Sequence, residues 1–67
     1  MNNVEKVISI LKKNTDGLTV VDISRLLGIS RNTVAVVLAG LIGAGNARFR
    51  PVGVAKLHYL INSGGKK

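Results

Sequence analysis

Val4, Val7, Ile8 and Leu11 fall at i, i+3, i+4 and i+7, a spacing that lines four branched side chains along one side of a helix. Glu5, Lys6, Ser9, Lys12 and Lys13 take the other side, and Asn2 followed three residues later by Glu5 offers a capping box at the start. Thr15-Asp16-Gly17 carries turn residues that break this period, so the first helix is expected to end near Asn14. Leu18 leads to Thr19, and Thr19 with Asp22 repeats the capping signature, which starts a second, short helix at Val20. Gly28 stops that helix where a left-handed residue is wanted, and Ile29 follows as a buried turn residue. Ser30 then caps a third helix with Arg31-Asn32-Thr33 in its first turn, Val34, Val37, Leu38 and Leu41 on its inward stripe, and Gly43 and Gly45 at its end.

Beyond Gly45 the period changes. Ala47-Arg48-Phe49-Arg50 alternates small or aromatic with basic residues, and Lys56-Leu57-His58-Tyr59-Leu60-Ile61 is a β-rich run with partial alternation. Pro51-Val52-Gly53 reads as the turn between them, giving an antiparallel hairpin. The expected fold is therefore mainly α with a small β-hairpin, in the order helix, helix, helix, strand, turn, strand. At 67 residues the chain has room for one domain, placed at 1–62, with Ser63-Gly64-Gly65-Lys66-Lys67 as a flexible basic tail. A domain of this size buries only roughly 60% of its unfolded surface, so its stability is marginal.

Composition narrows the class. An apolar content of 46% excludes a disordered basic tail. The absence of cysteine excludes disulfides and thiolate metal sites and leaves the cytoplasm as the expected compartment, with the nucleoid as the location in a prokaryote. The longest uncharged stretch, Asn32 to Ala47, has an apolar part broken by Gly40 and Gly43, well short of the ~20 apolar residues a membrane span needs. Met1-Asn2-Asn3-Val4-Glu5-Lys6 lacks the basic region and apolar run of a secretory signal, so no membrane partner is expected.

Charge distribution says more than the net +7. Through Asp22 the lysines Lys6, Lys12 and Lys13 are balanced by Glu5, Asp16 and Asp22, whereas beyond it Arg25, Arg31, Arg48, Arg50, Lys56, Lys66 and Lys67 meet no acid. Such asymmetry fits one face meeting a polyanion, for which nucleic acid and an anionic membrane surface both qualify.

Residues 20–41 have the spacing a helix-turn-helix requires: Ile23 and Leu27 inward on one helix, Ser24 small enough for a close crossing, Gly28 and Ile29 in the turn, and Val34 with Val37 or Leu38 inward on the next. Together with Arg48-Phe-Arg-Pro-Val-Gly-Val-Ala-Lys-Leu-His-Tyr-Leu, a strand-wing-strand ending, the pattern resembles the winged helix-turn-helix superfamily over residues 4–61. More narrowly, Leu-Gly-Ile-Ser-Arg-Asn-Thr-Val combined with the Val-Gly-x-Ala-Lys-Leu-x-Tyr-Leu ending is similar to the DNA-binding domains of small archaeal transcription regulators.

The resemblance implies a sequence-specific double-stranded DNA binder, with the helix at 30–43 in the major groove and the wing at 48–56 on the backbone or minor groove. The base-reading positions it implies are Ser30, Arg31, Asn32, Thr33 and Ala35. Arg31 suits a bidentate contact to guanine, Asn32 one to adenine, and the two hydroxyls suit phosphate or either base. The backbone or wing positions are Arg25, Arg48, Arg50 and Lys56. Paired half-sites favour a homodimer.

Each residue also has a plainer reading: Arg31 and Asn32 as a solvated first turn, Arg48 and Arg50 as charges protecting an edge strand, Lys12 and Lys13 as partners of a helix dipole. Beyond Thr33 the open side of the third helix offers only Ala35, Val36, Ala39 and Gly40, which leaves either thymine-methyl contact or a protein-interaction surface. The latter is the alternative function. Enzymatic chemistry is not expected. The three carboxylates fall at helix starts or in a turn, His58 has no cysteine or acid near it in sequence, and no metal or cofactor is implied.

Overall fold

The computed structural model describes residues 2–61, so the tail placed at 63–67 lies outside the described residues. Three helices, α1 (Asn3–Lys13), α2 (Val20–Leu27) and α3 (Arg31–Gly43), precede a hairpin of β1 (Ala47–Val52) and β2 (Ala55–Leu60). No single helix among these residues is long and apolar enough to cross a membrane.

Local chemistry sets the helix limits. At α1 the Asn2 Oδ1 accepts from the Glu5 N–H at 2.8 Å, so the Asn2 half of the expected capping box is formed. At α2 both halves form: Thr19 Oγ1 accepts from the Asp22 N–H at 3.1 Å, and the Thr19 N–H donates to Asp22 Oδ2 at 3.3 Å. Gly28 ends α2 at φ +69, and both its own N–H and that of Ile29 donate to the Ser24 carbonyl. Ser24 does more than keep the crossing close, since its Oγ donates to the Ile29 carbonyl at 2.6 Å and ties the turn to the helix behind it. Gly43 is the last residue of α3 rather than its terminator; the chain leaves the helix through Ala44 and Gly45 (φ +79), with Asn46 N–H on Leu41 O and Gly45 N–H on Ile42 O.

Val7, Leu11, Leu18, Ile23, Val34, Leu38, Leu41 and Ala47 form one buried cluster, drawn from all three helices, the α1–α2 connection and β1. Val4, expected on the inward stripe of α1, is 42% exposed because the helix runs past the core at its N-terminal end.

The hairpin differs from the sequence expectation in its turn. Pro51 and Val52 belong to β1, paired with Lys56 and Ala55, and the reversal is the two-residue loop Gly53-Val54 with Gly53 at φ +62. Proline reads as a breaker in sequence, but a strand at a sheet edge tolerates the missing N–H. On the other side β2 is joined to the helices. Leu18 and His58 exchange backbone bonds at 3.1 and 2.8 Å, and the Leu18 carbonyl accepts a further bond from His58 Nδ1–H at 3.1 Å. His58, only 6% exposed, is thus the residue that fixes the hairpin against the α1–α2 connection.

Candidate nucleic-acid interface

The α2–α3 pair carries the geometry on which the site depends. Its axes turn by 116° across Gly28-Ile29-Ser30, within the range of a helix-turn-helix, and Ile29 is half-buried against the core instead of fully enclosed. Val34, Leu38 and Leu41 anchor α3 from beneath. The opposite side of its first turn therefore faces outward, with Ser30, Arg31, Asn32 and Ala35 exposed and Thr33 half-buried.

Ser30 Oγ accepts from the Thr33 N–H at 3.1 Å and lies 2.8 Å from Thr33 Oγ1. One hydroxyl hydrogen bridges the pair and the other stays available to an acceptor outside. Arg31 and Asn32 make no side-chain hydrogen bond to another described residue, so both fans of donors point into solvent. Whereas α1 and α2 each place an acid in the first turn (Glu5, Asp22), α3 places none and carries Arg31 there instead. A cation at the positive end of a helix dipole costs the isolated fold a little, and an external anion at that end reverses the sign.

The residues expected on the backbone or wing do not form one group. Side chains alternate across a strand, so Ala47, Phe49 and Pro51 face the same way as their partners Leu60, His58 and Lys56, while Arg48 and Arg50 face away with Tyr59 and Leu57. Lys56 consequently lines an open groove of about 540 Å³ together with Ala35, Ala39, Phe49 and Val54, with its Nζ 4.8 Å from the Phe49 ring centroid. Arg48 and Arg50 lie on the reverse side, next to Thr15 and Asp16 of the α1–α2 connection. Arg25 is exposed in the last turn of α2. The structure thus brings Lys56 to the α3 side and separates it from Arg48 and Arg50.

Two further features had weak or no sequence signal. Val54 projects fully from the hairpin tip, a position fixed only once the turn is known to be Gly53-Val54. Phe49 is 43% exposed and forms one wall of the groove, its ring 6.1 Å from that of His58.

Glu5 and Asp22 sit at their caps and Asp16 in a turn; among the described residues no group of three or more His, Asp or Glu is placed to hold a metal ion. Comparison with protein-family models, with curated proteins and with solved structures finds no match for this chain.

Proposed function

We propose that this chain is a winged helix-turn-helix that binds double-stranded DNA by sequence, in the manner of a transcription regulator that acts by occupying its site. The observation that carries the reading is the first turn of α3: an exposed Arg31 and Asn32, with no acid beside them, at the free end of a helix set 116° from its neighbour. An α-helix fits the major groove end-on or lengthwise, and Arg and Asn are the side chains whose paired donors and acceptors match guanine and adenine there. Ser30 and Thr33 contribute their remaining hydroxyl hydrogen, and the Ala35 methyl suits a thymine methyl. Arg25, exposed in the last turn of α2, and Lys56, in the groove beside α3, supply phosphate contacts. One module of this size covers only ~600–1,000 Å² of protein surface on DNA, so two copies on paired half-sites give the affinity a regulator needs.

The test is a map of amide shift changes by nuclear magnetic resonance as a duplex is added. Changes concentrated at residues 30–36, with a second set on the Lys56 side of the hairpin at Phe49 and 54–56, are expected. No change on adding duplex would overturn the reading and favour a protein-interaction module that uses the apolar groove beside α3, lined by Leu38, Ala39, Ile42 and Phe49.

A further inference from the structure

Arg48 and Arg50 have no part in the surface just described. They sit on β1 two residues apart, about 6.8 Å along an antiparallel strand, and both point away from α3. Lys12, in the last turn of α1, lines the same recess as Arg48 and Tyr59, and Thr15 adds a hydroxyl at its edge. Arg48 lies 5.9 Å from the Tyr59 ring centroid, a stacking that holds the guanidinium against the sheet and leaves its donors outward. The acid on this face is Asp16, which borders Arg50 and Arg48 and leaves the cluster with a positive balance. Two guanidinium groups with a lysine and two hydroxyls are the side chains that contact phosphate oxygens.

Cationic groups thus stand on both sides of a two-stranded hairpin, Lys56 on one and Arg48 with Arg50 on the other. A single straight duplex seated on the first turn of α3 meets only the Lys56 side. We propose that the far side of the hairpin, built from Lys12, Arg48 and Arg50, takes the phosphate backbone of a second DNA duplex, so that one copy of this chain bridges two duplexes. The inference rests on the DNA-binding reading above and adds a second surface to it. Charge complementarity selects the occupant: Lys12, Arg48 and Arg50 outnumber Asp16 on this face, and of the apolar residues lining the recess Leu11 is buried, Leu60 half-buried and Ile61 alone exposed.

Bridging is read by capture: one duplex of random sequence is held on beads, a second carries a fluorophore, and the 67-residue chain is added at low salt. Wild type is expected to retain the labelled duplex on the beads. Arg48→Ala with Arg50→Ala should reduce capture by about tenfold or more while lowering affinity for one duplex, measured separately by anisotropy, by less than about threefold. Both side chains are exposed, so the variant keeps its fold, and Arg48→Lys with Arg50→Lys should restore most of the capture because phosphate needs only the charge. Capture that survives the alanine pair would assign bridging to a dimer with two α3 surfaces and overturn the proposal. A parallel fall in capture and single-duplex affinity would mean one continuous surface and overturn it too. Duplex binding by wild type without capture would remove the second surface and leave the DNA reading standing, whereas no duplex binding would remove both.

Discussion

Gly17→Ala is expected to destabilise the fold by about 2–5 kcal/mol and to lower Tm by more than about 10 °C. Gly17 holds φ at +98, and a Cβ built there lies 2.8 Å from two ring atoms of Tyr59 and 3.0 Å from Leu57 Cβ. The backbone strain alone costs about 1–2 kcal/mol for a residue with a side chain, and forcing a methyl into occupied space adds about 1–3. The Tyr59 ring has some freedom to swing, but Leu57 Cβ is fixed to its strand, so relief requires the hairpin itself to move. For a chain of this length total stability is on the order of 3–10 kcal/mol, and the loss is a large part of it. Gly28→Ala supplies the control. Its φ of +69 carries the same kind of strain, but no atom lies within 4 Å of the added Cβ, so it should cost less than half as much. Thermal melts of the two variants side by side decide the matter, and equal losses would show that Gly17 is not packed against the sheet. Because Gly17 directly precedes Leu18, the residue bridged to His58, any Gly17→Ala protein that does fold should also hold the hairpin less firmly beside α3.

The second large effect concerns recognition. Arg31→Ala with Asn32→Ala should weaken binding to the preferred duplex by about 2–6 kcal/mol, thirtyfold or more, if each side chain makes one bidentate base contact worth about 1–3 kcal/mol. The two positions are adjacent, so the losses need not add in full. Unfolding does not explain such a loss, because alanine is the better helix former and removing a cation from the first turn of α3 relieves the dipole. A duplex of random sequence should lose much less, since there Arg31 contributes only its charge. Competition of preferred against random duplex measures both at once, and equal losses on the two would leave Arg31 and Asn32 as phosphate contacts without a reading role.

Much of this layout was legible in the sequence wherever the determinant is local. The Thr19–Asp22 box, the left-handed Gly28 and the Val34/Val37/Leu38/Leu41 stripe each lie within a few residues of the structure they specify, and all are formed, with Val37 half-buried at the edge of the stripe. The outward display of Arg31 and Asn32 follows from that stripe, because the inward positions of a helix fix its outward ones. Two features escaped. The Leu18–His58 bridge joins residues 40 apart, and nothing in either neighbourhood announces the other. The close approach of Gly17 to Tyr59 is of the same kind; in sequence that glycine is only a turn residue. The hairpin turn was misplaced for a different reason: Pro51 signals a break, and whether a strand lies at an edge, where proline is tolerated, depends on its neighbours in space. That shift decides which residues share a face, and so separates Lys56 from Arg48 and Arg50.

The central claim is that this basic chain binds duplex DNA, and fluorescence anisotropy with a labelled duplex across a salt series, beside a single strand of equal length, tests it most directly. Tighter binding to the duplex is expected, with log K falling against log salt at a slope of about −3 to −4.5, as for three to five phosphate contacts per copy. Single strands should bind less well, because stacking surfaces are scarce: the chain has one Phe, one Tyr and no Trp, and Tyr59 packs against Gly17 and Arg48, which leaves Phe49 as the one exposed ring of the two. No duplex binding at low salt from a chain carrying +7, or equal binding of both strands and duplex, would contradict the account.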